Sequence, residues 1–390
     1  MTVRIFNRLN ISIILYVVYY LQGVLYPSGS FFSQFFILIF LLIGIQSLCK
    51  TVLYNKNPLF IRVWLILYLV LAFSFIVSPK IVYGTLYESI GTVETFDQFK
   101  GMSIFCLSLF IPFSHIRKYG IKDSYISNIT IIFFILMLIR YFFNKDILSI
   151  ERDSFTNNVG YFAISVLPYI IFFFKKNRII ALIMFISITL IVIDSAKRGA
   201  IVCLAISVVF SVVYYLRMNK LSLKRLCLLL LLMCAFAVVA YYGVMRNEYL
   251  QMRIETTHED GIGTRSIAYY VLWHHWMSET NLIKLLFGNG ISGSVSVWGN
   301  YAHNDWLELL IDNGLIGVLL YATFFCSTFV YVNHIKLSFS YKCSAYLILI
   351  IWVLKTFFSM GYTEGTNAVY IILLGIILGN NEYRKKHYTY

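Results

Sequence analysis

Apolar stretches long enough to cross a bilayer recur from one end of this 390-residue chain to the other. A hydrocarbon core takes about 20 apolar residues per helix, with a range of roughly 17–25. Lipid offers no partner to backbone N–H and C=O groups, so only helices and closed barrels span it. Twelve candidate spans are legible, at residues 9–26, 31–49, 61–77, 99–114, 125–143, 159–174, 179–194, 200–216, 225–242, 315–332, 345–359 and 368–379. Composition agrees. Only 13% of residues are charged and 59% are hydrophobic, whereas a soluble domain averages about 25% charged. The expected fold is an all-α polytopic membrane protein with about 12 transmembrane helices and one large extracytoplasmic loop containing short helices. Its expected parts are residues 1–242 (the first nine spans), 243–303 (the loop) and 304–390 (a loop helix, the last three spans and a cytoplasmic tail).

Charge sets the orientation. With the N-terminus inside, twenty Lys and Arg fall in the inner links and termini and ten outside, four of those ten in the long loop. Long loops translocate largely regardless of charge, so the short links carry the comparison and favour both termini in the cytoplasm. Glu88, Glu94, Asp97, Glu151, Asp153 and Asp194 all fall outside on this topology. The net charge of +14 is thereby a topology signal, and no nucleic-acid partner is expected. The seven cysteines lie in apolar segments or inner links, a pattern with neither a disulfide framework nor metal-ligand spacing. Arg4 and Arg8 precede the first apolar stretch and no small-residue cleavage site follows it, so a retained span is expected there.

The long loop has structure of its own. Thr264 can cap a helix that starts at Arg265 and carries Ile267, Tyr269, Tyr270, Leu272, Trp273 and Trp276, spread broadly enough to lie on a membrane or protein surface. A turn-rich stretch, Gly288-Asn289-Gly290-Ile291-Ser292-Gly293-Ser294, comes next. A short helix from Asn304 to Asp312 then stops at Asn313-Gly314, a normal C-terminal signal.

Several outer residues could carry chemistry. Lys197 and Arg198 sit together in a short outer link, against the positive-inside bias. They could snorkel to headgroups, or form an anion site in which Arg198 grips phosphate bidentately. Arg265 in a first helical turn opposes the macrodipole. A bound anion would make sense of it, and so would a salt bridge to Glu255, Glu259 or Asp260. His303 precedes a helix start, where it could cap the helix or relay a proton. Asp305 and Glu308 suit a first turn through the dipole alone. Arg152, Asn158 and Glu364 lie at the outer ends of other spans. Arg140 and Lys355 fall inside spans near their outer ends, where snorkelling is the expectation.

Ser195-Ala196-Lys197-Arg198-Gly199-Ala200, Arg265, Leu286-Phe287-Gly288-Asn289-Gly290 and the run from His303-Asn304-Asp305-Trp306-Leu307-Glu308 to Gly314-Leu315-Ile316-Gly317 resemble the bacterial O-antigen polymerase/O-antigen ligase family. Phe155-Thr156-Asn157-Asn158-Val159-Gly160-Tyr161 resembles the family's Asn-rich entry to a span. The similarity covers residues 150–380; the first 150 match only in hydropathy. It implies a GT-C type membrane glycosyltransferase that uses undecaprenyl-pyrophosphate-linked oligosaccharides without metal or other cofactor. The enzyme would work in the bacterial cytoplasmic (inner) membrane with its active site facing the periplasm or exterior. Carried over by residue, Arg198, Arg265 and His303 are the catalytic candidates: the two arginines would hold pyrophosphate and His303 would assist the attacking hydroxyl. Lys197, Arg152, Asn158, Asn304, Asp305 and Glu364 are the substrate-binding candidates. Lys197 departs from the small residue usual there, which leaves open which of the two cations meets phosphate. The resemblance also admits a chain-length regulator protein as a partner. A polymerase is the expected activity; a ligase delivering glycan to lipid A-core and a flippase for lipid-linked oligosaccharides are the alternatives. The three catalytic candidates are expected to converge near the outer membrane boundary.

Overall fold

The computed structural model describes residues 7–25, 30–54, 56–84, 92–150, 158–218, 238, 241–247, 250–251 and 264–387. Its helices in chain order are α1 (Arg8–Leu25), α2 (Phe31–Val52), α3 (Leu59–Val77), α4 (Thr95–Tyr119), α5 (Asp123–Ile150), α6 (Val159–Lys176), α7 (Arg178–Asp194) and α8 (Arg198–Met218). They continue with α9 (Thr264–Ser278), α10 (Leu282–Phe287), α11 (Gly293–Trp298), α12 (Asp305–Asn333), α13 (Phe339–Phe358) and α14 (Ala368–His387). Seven of the described helices are long and apolar enough to cross a membrane. The chain is thus an all-α, multi-pass membrane protein. Eleven of the twelve apolar segments coincide with helices; the segment at 225–242 lies largely outside the described residues.

Two compact units interleave along the sequence. The first comprises Met1–Ile121, Ile262–Leu337 and Trp352–Tyr390; the second comprises Lys122–Gly261 and Ser338–Ile351.

In the first unit, α4 and α14 form the centre. Both were legible as short spans, at 99–114 and 368–379, yet they run 25 and 20 residues. The polar residues added at their ends are accommodated by protein: Gln98, Asn380 and Asn381 are buried. Gly375 and Gly379, four residues apart, turn their bare backbone toward α4, where a Cβ would stand 2.7 Å from the Leu109 carbonyl and 2.9 Å from that of Phe113. Small residues at this spacing let membrane helices approach where hydrophobic driving force is absent. Around this pair, Trp64, Phe105, Phe324 and Trp352 pack with ring centroids 4.3–5.8 Å apart.

The link between α3 and α4 holds a feature that helical periodicity does not foretell. Ile81–Tyr83 pairs antiparallel with Thr92–Glu94 in the register Ile81↔Glu94. The pair closes with Thr95 N–H on the Lys80 carbonyl, and the Thr95 hydroxyl donates to the Pro79 carbonyl at 2.9 Å.

The second unit holds α5–α8 and the first part of α13. Ser344 donates to the Pro168 carbonyl inside α6, and Tyr341 donates to Asp123 at the start of α5.

Candidate functional site

The glycine-serine loop and the acidic helix after it form one hydrogen-bonded body within the first unit. Asn304 starts α12 by accepting from the N–H groups of Trp306 and Leu307 at 3.0 and 3.2 Å, the usual N-cap geometry. Glu308 and Asp312 follow one turn apart, on the same side of the helix, and both are fully buried. The loop supplies their donors. Ser292 and Ser294 give backbone N–H groups to the two Asp312 oxygens at 3.1 and 3.0 Å. The Ser294 hydroxyl gives a bond of 2.6 Å to Glu308 Oε1. Asn289 and Gly290 bond to the Ile311 and Asp312 carbonyls, and the Ser292 hydroxyl pairs with Gln98 of α4. Buried carboxylates need such partners, since an unmatched charge inside protein or lipid is very costly.

Two glycines let the loop and the helix lie this close. Gly288 (φ +78°) ends α10 and Gly314 (φ +64°) breaks α12 into Asp305–Asn313 and a membrane-length piece. A Cβ on Gly288 would run into the Asp312 carbonyl, and one on Gly314 into the Leu286 carbonyl. Left-handed backbone with no room for a side chain calls for glycine.

His303 stands where these restraints meet. The N–H of Ala302, one residue before, donates to Glu308 Oε2 at 2.8 Å, and Asn304, one residue after, is the cap. Between them His303 adopts φ +51°, which is uncommon for a residue with a Cβ. Its imidazole is half-buried. Tyr301 nearby is mostly buried, and that burial, together with the Glu308, Asp312 and Asp97 charges, pushes its phenol well above the ordinary value.

Asp305 and Glu364, both substrate-binding candidates, hold a second network. Asp305 is fully buried; its oxygens accept the Gly361 N–H at 2.7 Å and the Tyr321 hydroxyl at 2.8 Å, and Trp352 donates to that same hydroxyl at 2.7 Å. Glu364 accepts from Lys355 Nζ at 3.1 Å, and Lys355 also donates to Asn367 at 2.6 Å. Asn367 in turn donates to the Gly361 carbonyl at 2.6 Å. Lys355 was expected to snorkel outward. Its side chain is instead 2% exposed, because a carboxylate and an amide oxygen reach it inside the fold. Arg265, at the start of α9, donates from Nη1 to the Phe358 carbonyl at the end of α13, at 3.2 Å. The carboxylates considered for it, Glu255, Glu259 and Asp260, lie outside the described residues.

The remaining site candidates belong to the second unit. Lys197 closes a turn between α7 and α8 in which Ala196 has φ +50°, and the exposed Arg198 is the first residue of α8. The turn is tightly held. Ser195 donates to the Val192 carbonyl, and Gly160 opposite has no room for a Cβ beside the Ser195 hydroxyl. A helix N-terminus carries about half a positive charge, so Lys197 and Arg198 add to a potential that already favours anions. Asn158 holds the N-cap position of α6. Arg140, also expected to snorkel, lies over the Phe162 ring at 5.6 Å. Arg152 lies outside the described residues.

Among the described residues, no three metal-ligating side chains gather. Comparison with known families gives a partial match. A family model described as O-antigen ligase matches residues 180–322. Over those residues the chain is similar to the O-antigen ligase family. The matched stretch runs from α7 through the Lys197-Arg198 turn, past Arg265 and His303, and into the helix beyond Gly314. No curated protein matches the chain.

Residue-level reading of the sequence missed the parts played by Glu308 and Asp312, which receive the loop's N–H groups, and by Lys355 with Asn367. The four-residue spacing of two acids beside a Ser-Gly loop was the available signal. Nothing local to the sequence pairs Tyr321 and Trp352 with Asp305.

Proposed function

We propose that this chain is a polysaccharide polymerase that transfers a glycan from undecaprenyl pyrophosphate to the terminal sugar of another lipid-linked repeat unit. In this reading the protein has twelve spans, cytoplasmic termini and a working face on the far side of the bacterial inner membrane. The observation that carries it is that the stretch similar to the O-antigen ligase family contains Arg198, Arg265 and His303 together. The hydroxyl of the acceptor sugar attacks the anomeric carbon of the donor. The C–O bond to pyrophosphate breaks, the pyrophosphate leaves with the bond's electron pair, and the hydroxyl proton passes to the His303 imidazole. Pyrophosphate departs more easily as its charge is neutralised, and guanidiniums preset for that charge act electrostatically. His303 suits the proton because imidazole titrates near neutrality and because its backbone is held on both sides, so that placement costs little at the moment of reaction. Arg198, Arg265 and Lys197 would hold the donor phosphates. Asn158, Arg152, Asn304, Asp305 and Glu364 would shape the sugar sites, Asp305 and Glu364 by holding the segment from Gly361 to Asn367 in place.

A second reading, that the glycan goes to lipid A-core, is favoured by the matched family's description as O-antigen ligase. Purified protein supplied with lipid-linked repeat units alone separates the two. A ladder of lengthened products supports the polymerase; product only after lipid A-core is added supports the ligase. Lipid crossing the bilayer without either product would sink both.

A further inference from the structure

The helical hairpin α9–α10 has two apolar faces, and among the described residues only one is packed into the fold. Ala268 and Leu272 pack inward on Trp298, Ala302 and Ile311, and Trp276 Nε1 ties α9 to the Leu285 carbonyl of α10. On the other side, Ile267, Tyr270, Trp273 and Met277 of α9 are 45–65% exposed, and Leu282 and Ile283 of α10 are 66% and 69% exposed. These α9 positions recur every three or four residues, as one stripe along a helix does. In a membrane protein, such a surface has a definite candidate neighbour.

The hairpin's two ends show which neighbour it is. At its start, Arg265 is bonded to the Phe358 carbonyl, next to Phe357, which is half exposed on a helix of membrane-spanning length. At its end, the Leu286 carbonyl abuts Gly314, where the membrane-length part of α12 begins with the exposed Leu315 and, a turn on, Leu319. The stripe is therefore anchored at both ends where lipid-facing helices leave the hydrocarbon, and it continues their apolar surface. Its composition fits that level. Trp and Tyr concentrate at membrane–water interfaces, and an amphipathic helix lying in the interface buries its apolar face about 5–10 Å deep.

We infer that the α9–α10 hairpin lies in the bilayer interface at the Gly314 end of the first unit, with its exposed stripe against the acyl chains of bulk phospholipid. Arg265 is thereby set at the headgroup level, where phosphate of any lipid-linked molecule arrives. The placement of the hairpin stands apart from the polymerase reading, since it follows from the spans and the stripe alone.

A photoreactive benzoyl-phenylalanine at Tyr270, and separately at Ile283, tests it in the full chain in nanodiscs of phosphatidylethanolamine and phosphatidylglycerol. After irradiation, each protein should gain the mass of one phospholipid, in a yield comparable to that of the same probe at Leu319. An adduct with a second copy of the chain, or no adduct while the Leu319 probe still labels, overturns the placement. Both sites are exposed, the Tyr270 ring touching His274 of its own helix at 4.0 Å between centroids, and an unchanged melting temperature of each labelled protein verifies that the fold is kept.

Discussion

Arg198 and Arg265 each stand in the first turn of a helix, a position where a cation is tolerated poorly unless an anion comes. Replacing either with Ala should lower elongation of purified lipid-linked repeat units by about 10²–10³-fold, the usual cost of one preset transition-state donor. Lys at either place should recover only part of it, since a point charge lacks the bidentate fork. His303→Ala should slow the chemical step in the same assay; elongation at the normal rate would remove the imidazole from the mechanism. Glu308→Gln tests something different. The amide oxygen can keep the Ala302 N–H while its NH2 group donates to the Ser294 hydroxyl oxygen, so the change should cost only about 1 kcal/mol of stability. If Glu308 serves His303 by positioning it, kcat should fall with KM nearly unchanged, and Glu308→Ala should be worse than Glu308→Gln. A similar logic applies to Lys355. Lys355 is buried and Glu364 partly exposed, so removing the lysine leaves a carboxylate uncompensated at less than the roughly 3–5 kcal/mol of a fully buried pair. Lys355→Met alone should therefore lower the melting temperature more than the double change with Glu364→Gln.

At the scale of elements, the site depends on two helices that approach without side chains between them. The Gly288 and Gly314 turns let α10 end directly on the break in α12, so Gly314→Ala carries a left-handed cost of about 1–2 kcal/mol and a clash with the Leu286 carbonyl besides. The outcome to look for is loss of elongation with the membrane spans still folded, read by circular dichroism beside the activity assay. Gly375→Leu addresses the other close approach. It should force α14 from α4, and overpacking of this kind costs about 1–3 kcal/mol or more. A melting temperature equal to the unaltered protein's would mean that the two helices can part without penalty. The acid pair in α12 and the turn chemistry of the Ser-Gly loop were each readable as local signals, but their mutual satisfaction was not. A carboxylate's partner can lie 14 or 20 residues away, as for Ser294 with Glu308 and Ser292 with Asp312.

For the whole molecule, the proposed mechanism requires Arg198 and His303 to act on the same donor. Cysteines placed at Arg198 and His303 should cross-link through a short bifunctional reagent in membranes, and addition of a lipid-linked substrate should protect them. Failure to cross-link while each single cysteine reacts would leave the membrane topology standing and remove the shared site. Topology is separately checked by an impermeant thiol reagent, which should reach a cysteine at Thr280 from outside intact cells and one at Lys336 only after lysis.

The sequence alone determined that this chain lives in a bilayer as a bundle of helices, because an apolar run long enough to span lipid has no other way to satisfy its backbone. Motif spacing also carried the family resemblance and named Arg198, Arg265 and His303. Local pattern could not decide how the buried polar groups pair. Lys355 read as a cation reaching for headgroups, yet it is held by Glu364 and Asn367. Asp305 read as a first-turn acid, and the fold sets it under Gly361 and Tyr321. In lipid a polar group must find its partner within the protein, and which partner lies within reach is known only once helices distant in sequence have packed.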